Sequence, residues 1–243
     1  MKPQITVALP LWNSKKIVWL CLESLCRQNV GVDWELIMIE EETDEAAGEN
    51  YVSSFYQRLQ KADCVNVKYI QIQDKIPLSS KWRKIADEAS ESSKVYVMCA
   101  ADNYYQPLLL YDAWQAIVIR GYDWYQSHQC HFYDIDTKKL VEYRRQKYTG
   151  IEMAMSMDLA KKIPRSSRRR GIDLLIYNSV MPKNIYWNTD SHCLFTVCTH
   201  GMNKISGSRR KNLINKVTAP FRRCSHAIDS LLPFNVYRKL ISL

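Results

Sequence analysis

The chain has 243 residues, a net charge of +9 and 47% hydrophobic residues, with 8 Cys and only 7 Gly. That length buries a full core as one domain, or as one domain with an appendage. Scarce Gly, with neither GxGxxG nor GxxxxGKS/T, argues against a Rossmann dehydrogenase or a P-loop NTPase. The basic balance points instead to polyanionic partners: nucleic acid, anionic lipid or nucleotide phosphates.

The predicted elements alternate through the first half. Ile5–Leu9 is a short apolar strand stopped by Pro10. Ile17–Cys26 has apolar residues at helical spacing, with Ser14 as a candidate cap. Leu36–Ile39 is a second strand that ends in the acidic cluster Glu40, Glu41 and Glu42. Tyr51–Lys61 reads as a helix, Val65–Ile72 as a strand, and Leu78–Ser92 as a helix. Val95–Ala101 is a fourth strand, running straight into Asp102 and Asn103, and Leu108–Arg120 is a helix after Pro107. This alternation predicts an α/β fold with a mainly parallel central sheet flanked by helices. Ligands of such sheets collect at the carboxyl ends of the strands, which makes Asp102 the first candidate for chemistry.

The pattern then loosens. Tyr122–Tyr133 and Leu140–Tyr148 read as strands and Met153–Lys162 as a helix. Arg165–Arg170 forms a basic loop, Ile172–Ser179 starts a helix, and Cys193–Thr199 is a short strand-like run before His200. After Gly207 the chain is basic and amphipathic, which predicts a helical tail over 208–243 beside a catalytic domain over 1–207. The cysteines (Cys21, Cys26, Cys64, Cys99, Cys130, Cys193, Cys198 and Cys224) form no CxxC pair, which argues against structural zinc. There is no signal-peptide pattern and no apolar run of roughly 18 residues. A reducing, cytoplasmic setting is the expectation.

The segments ITVALPLWNS, LCLESLCRQ and WELIMIEEETDE together resemble the opening of the family-2 glycosyltransferases of GT-A fold. Pro10, Asn13, Leu22, Ser24, Leu25 and Gln28 carry the match, and SSKWRKIADEAS followed by VYVMCAADNYYQP is similar to the helix and strand that end in that family's Asp-x-Asp. The resemblance covers roughly residues 4–110 and continues more weakly to about residue 205.

What it implies is a nucleotide-diphospho-sugar site. Asp102 stands at the second Asp of Asp-x-Asp, with Ala100 at the first. In the family that aspartate ligates Mn2+ or Mg2+, a hard cation that wants oxygen ligands and neutralises the leaving diphosphate. Asn103 and His200 are the further metal-ligand candidates. Pro10, Trp12 and Asn13 would line the base pocket, Glu40 or Glu41 would bind base or ribose, and Ala101 would border the same donor site. Lys81 or Arg83 would meet phosphate from the start of the 78–92 helix. Asp173, opening the helix after Gly171, is the candidate general base of an inverting transfer, with Asp158 and Asp190 as rivals. The arginines at 165 and 168–170 would bind an anionic acceptor or the diphosphate.

UDP is the expected nucleotide, and a glycan hydroxyl or a hydroxymethylated DNA base the expected acceptor. The basic tail would touch an anionic membrane or nucleic acid, or pack on its own domain. The competing reading, supported by Ala100, is a GT-A-like module that has lost transfer and binds nucleic acid or a membrane surface.

Overall fold

The computed structural model describes residues 2–135, 138–144, 152–168, 171–189, 196–199, 221–223 and 228–242. At its centre lie two strands buried along their whole length, β1 (Ile5–Leu11) and β2 (Trp34–Glu41). Near-continuous apolar runs suit parallel strands covered on both faces. β3 (Cys64–Ile72) flanks β2 at the sheet edge, and β4 (Val95–Met98) flanks β1 on the other side. All four run parallel. They are connected through α1 (Val18–Leu25), α2 (Glu49–Ser53), α3 (Tyr56–Gln60) and α4 (Leu78–Glu88).

The chain then leaves the simple alternation. β5 (Asn103–Tyr104) precedes α5 (Leu109–Trp114), which continues into a π turn over Gln115–Ile119. β6 (Trp124–Ser127), β7 (Gln129–Asp134) and β8 (Lys139–Arg144) follow. Next come β9 (Met153–Ser156), α6 (Met157–Ala160), α7 (Ile172–Val180), β10 (Ile185–Asn188), β11 (Thr196–Thr199) and β12 (Phe221–Arg223). The described chain ends with α8 (Ile228–Leu231) and α9 (Phe234–Ile241). The main sheet has the order β10-β6-β9-β4-β1-β2-β3, with β9 antiparallel to both of its neighbours. A smaller sheet has the order β12-β8-β7-β11-β5.

Several sequence expectations change here. Residues 153–156 form a strand rather than the start of a helix, because they fill the slot between β4 and β6. Their run of buried Met and Ala packs on both faces of the sheet, and such a run carries no period that separates strand from helix. The expected 51–61 helix is two short ones, and the expected 122–133 strand is split between the two sheets. In the tail, Phe221–Arg223 pairs with β8 as a strand. α9 buries Val236 and Leu240 in the same core cluster as Leu20 and Leu25 of α1. Burying each such side chain is worth about 1.5–3 kcal/mol. Among the described residues no helix is long and apolar enough to cross a membrane.

The registers matter most for the site. Leu11 pairs with Glu40 across β1 and β2, and Ala8 pairs with Met98 across β1 and β4. Met153 lies beside both Met98 and Gln126. One rim of the sheet therefore collects the carboxyl ends of β1, β2, β4 and β6 with the amino end of β9.

Candidate functional site at the carboxyl rim of the sheet

The β2 tip is a pair of buried carboxylates with assigned work. Glu40 accepts hydrogen bonds from the backbone N–H of Ala47 (2.9 Å) and Gly48 (3.0 Å) and from the Tyr69 hydroxyl (2.6 Å). Its two oxygens thus shape the 46–48 loop. Burial, followed by the Glu40 carboxylate, pushes the Tyr69 phenol above its ordinary value. Glu41 takes the Ile76 N–H at 3.2 Å and the Lys81 ammonium at 3.1 Å.

Lys81 reaches inward from α4. Its Nζ also donates to the Leu11 carbonyl at 2.7 Å, and its side chain is 4% exposed. Burial lowers its pKa, against the pull of Glu41 and then Glu40. Lys81 is therefore a strut joining α4, β1 and β2, which is a different placement from the phosphate contact expected of it. Arg83, one position past Trp82 on α4, pairs with Asp87 at 2.8 Å. Asp87 also holds Arg165 at 2.9 Å. Burial works against the Asp87 carboxylate, but Arg83 and Arg165 outweigh it and hold its pKa below the ordinary value.

β1 runs through Pro10, which was expected to stop it, and Pro10 is buried within the strand. Trp12 and Ser14 close a turn: the Trp12 N–H donates to Ser14 Oγ (3.1 Å), which donates back to the Trp12 carbonyl (3.0 Å). Ser14 Oγ is thereby used in the turn, and the α1 cap position falls to Ile17 without a side-chain bond. Asn13 sits in the left-handed region at φ 49°, a conformation Asn tolerates better than most residues. Its Oδ1 is buried with no hydrogen-bond partner among the described residues, as is Thr43 Oγ1 in the loop after β2. The two loops touch through the Lys15 N–H, which donates to the Glu45 carbonyl at 3.2 Å. The Lys75 ammonium covers the Trp12 ring 4.8 Å from its centroid.

At β4 the ladder runs one residue past the strand, with the Cys99 N–H donating to the Ala8 carbonyl at 2.9 Å. A turn then closes from the Asn103 N–H to the Ala100 carbonyl. The Tyr105 hydroxyl anchors this turn by accepting from the Ala100 N–H (2.7 Å) and Asn103 Nδ2 (3.1 Å). Burial pushes the Tyr105 phenol well up. Ala101 and Asp102 are half-buried within the turn, whereas Asn103 is buried, its amide nitrogen held by Tyr105. β5 then pairs antiparallel with β11, Asn103 beside Val197.

His200, Asn203, Asp190, Arg169 and Arg170 lie outside the described residues. Among the described residues no group of three His, Cys, Asp or Glu is placed to hold a metal ion. The Asp102 carboxylate is an oxygen donor of the kind that suits a small divalent cation keeping several waters.

Asp173 lies in the first turn of α7, half-buried, behind Gly171 at φ 62°. α7 packs through Ile172, Ile176 and Val180 into the cluster that holds Ile39, Trp82 and Met98. It thus covers the same face of the sheet as α4. The loop before it is pinned to α4: Ser79 Oγ donates to the Ser166 carbonyl (3.0 Å) and accepts the Ser166 N–H (3.1 Å). Asp158 is exposed on α6.

The sequence did not point to the β6–β9–β10 part of the rim. Gln126, Ser127, Glu152 and Asn188 are all buried there. Glu152 holds a left-handed backbone (φ 39°), and its carbonyl accepts the Ser127 N–H at 3.4 Å. The available signal was a lone acid just before an apolar run, hidden while that run read as a helix.

No family model and no curated protein matches the chain. Solved structures do. A crystal structure of Staphylococcus aureus TarS, residues 1–349, is 15% identical with a TM-score of 0.62, covering 82% of this chain and 60% of that one. TarS 1–349 in complex with UDP-GlcNAc matches at 13% identity and TM-score 0.63, over 82% and 59%. The mannosyltransferase PcManGT from Pyrobaculum calidifontis, with GDP-Man and Mn2+, matches at 11% identity and TM-score 0.53, over 84% and 59%. The chain spans less than two thirds of each of these structures. At these identities the likeness establishes the fold, which is of the GT-A glycosyltransferase type.

Proposed function

We propose that the chain is an inverting glycosyltransferase that moves a sugar from a nucleotide-diphosphate donor, UDP-linked by expectation, to an acceptor hydroxyl. The observation that supports this reading is that Trp12, Asn13 and Asp102 follow the neighbouring strands β1 and β4 on the carboxyl side of the sheet, with the buried Glu41–Lys81 pair at the tip of β2.

In this reading Trp12 stacks on the base, and the buried Asn13 Oδ1 accepts from a base N–H. Asp102 holds the donor's Mn2+ or Mg2+, a cation that neutralises charge on the departing diphosphate. Glu40 and Glu41 act through the loops they shape. Asp173 takes the acceptor hydroxyl's proton as that oxygen bonds to the anomeric carbon and the bond to the diphosphate oxygen breaks. The acceptor is a glycan hydroxyl or a hydroxymethylated base of DNA. The free thiols Cys21, Cys26, Cys64 and Cys99 fit a cytoplasmic setting.

Ala100, where a second carboxylate is expected, favours the competing reading of a module without transfer activity. Calorimetry with UDP and Mn2+, together with a nucleotide-sugar hydrolysis screen, separates the two. Wild type should bind UDP with Mn2+ and hydrolyse one donor slowly. Asp102→Ala should lose about 10²–10³-fold in rate, the scale of removing a transition-state charge partner. Equal binding and hydrolysis by Asp102→Ala would remove Asp102 from the site, and hydrolysis of no donor would favour the inactive module.

A further inference from the structure

The last helix is connected through one indole ring to the turn that follows β1. In α9, Val236 and Leu240 lie one turn apart and enter the core beside α1, which sets Lys239 over a side chain of that helix. The Lys239 ammonium covers the Trp19 ring 4.3 Å from its centroid. The Trp19 indole N–H in turn donates to the Lys16 carbonyl at 3.2 Å. Lys16 lies in the segment that joins the Trp12–Ser14 turn to α1. There the Ser14 carbonyl takes the Ile17 and Val18 N–H groups at 2.9 and 2.8 Å, and the Lys15 N–H reaches the Glu45 carbonyl. A polar clasp stands beside the ring. Glu23 of α1 binds Arg58 of α3 at 2.6 Å, and Asn235 of α9 donates to Glu23 (3.5 Å) while accepting from Arg27 (3.3 Å). Trp19, Glu23, Arg58 and Lys239 line a cavity of about 180 Å³ between the three helices. This side of α9 is therefore held by these few contacts rather than by close packing.

We propose that Trp19 is a positioning residue for the donor nucleotide and that Lys239 of α9 holds it in that role. The inference rests on the transfer reading above, in which the Trp12–Ser14 turn meets the base. A ring fixed on its face by a cation and at its edge by its own N–H keeps one orientation, and the Lys16 carbonyl keeps its place with it. The 14–18 segment is then ordered in advance, and the nucleotide has less freedom to remove when it binds. With the ring released, that ordering falls to the nucleotide and weakens its affinity. The coupling is reciprocal: a nucleotide that orders the turn also tightens α9 on α1. The last helix, distant from β1 in sequence, thus takes part in building the donor site.

Calorimetry of the full chain with UDP and Mn2+, and hydrogen exchange of the 12–18 amides without any ligand, test this together. Lys239→Gln removes the cation and keeps most of the stem. It should weaken UDP binding about three- to tenfold, the scale of one cation–π contact. Exchange at 12–18 should quicken by a similar factor, with the β3 amides unchanged. Trp19→Phe keeps a ring without the N–H and should do the same. Lys239→Arg should stay near wild type in both measurements. Arg238→Gln, which removes the neighbouring cation over Phe234, controls for charge alone and should match wild type. UDP affinity equal to wild type in either Lys239→Gln or Trp19→Phe overturns the proposal. So does an equal loss in Arg238→Gln, because net charge then acts and Trp19 does not. A wild type that binds no UDP sinks the transfer reading. The exchange rates then decide by themselves whether α9 holds the turn, and unchanged rates in Lys239→Gln overturn that as well.

Discussion

The two halves of the rim are held in place differently. At the tips of β1, β2 and β4 the braces are side chains: Lys81 on Glu41 and the Leu11 carbonyl, Tyr69 on Glu40, Tyr105 on Ala100 and Asn103. At the tips of β6, β9 and β10 main-chain bonds stand beside side-chain ones, Asn188 Nδ2 donating to the Tyr125 hydroxyl and to Asp112. The Ser127 N–H meets the Glu152 carbonyl, and the His128 N–H meets the Asn188 carbonyl. A rim braced by side chains is fixed by a few residues and fails one residue at a time. A rim braced in part by backbone tolerates more side-chain exchange.

Lys81→Met should break the contrast most sharply. It leaves Glu41 buried without its cation, a change that costs about 3–5 kcal/mol. Denaturant unfolding of this variant, beside the double variant Lys81→Met/Glu41→Leu, would measure the pair. The double variant should recover much of the loss, because no buried charge is left alone. If the single variant unfolds like wild type, side-chain bracing of this half is refuted. Tyr69→Phe comes next. It takes one charged hydrogen bond from Glu40, worth about 1.5–3 kcal/mol, and the freed 46–48 loop should weaken UDP binding further than stability alone explains. A variant that loses stability but keeps full UDP affinity would confine Glu40 and Tyr69 to scaffolding.

The same contrast explains what could be read in advance. The neighbourhood of the strand tips was legible where apolar runs stop, although β1 and β2 run on past those stops and take Pro10, Glu40 and Glu41 into the sheet. The braces were not. Nothing in LSSKWRKIADE says that Lys81 points inward, since lysine is ordinarily a surface residue. Nor does the sequence say that Tyr69 and Tyr105 carry the loops. β9 was misread because its partners, residues 95–98 and 124–126, are distant in sequence and decide its conformation. Ile185–Asn188, four residues long, was too short to show a period.

The smallest effect concerns protons that the first half keeps. Burial raises the Cys64 thiol to about 12, the Cys26 thiol to about 11 and the Tyr104 phenol to about 12. It also pushes up Tyr96 and Tyr105. An unfolded chain gives up thiol protons near pH 8.5 and phenol protons near pH 10. Above roughly pH 9 the unfolded state therefore binds fewer protons than the folded one, and stability must fall as pH rises. Each group contributes at most about 1.4 kcal/mol per pH unit, and only up to its folded value. Cys64 is 1% exposed, so its share is not lost to solvent. Urea midpoints followed from pH 8 to 11 should fall for wild type and fall less steeply for Cys64→Ala, by about one proton's worth. The slope is the readout, because the substitution also shifts stability at every pH. Parallel curves for the two proteins would mean that Cys64 titrates in the folded chain as it does in the unfolded one, and that the first half is less tightly closed around β3 than its burial indicates.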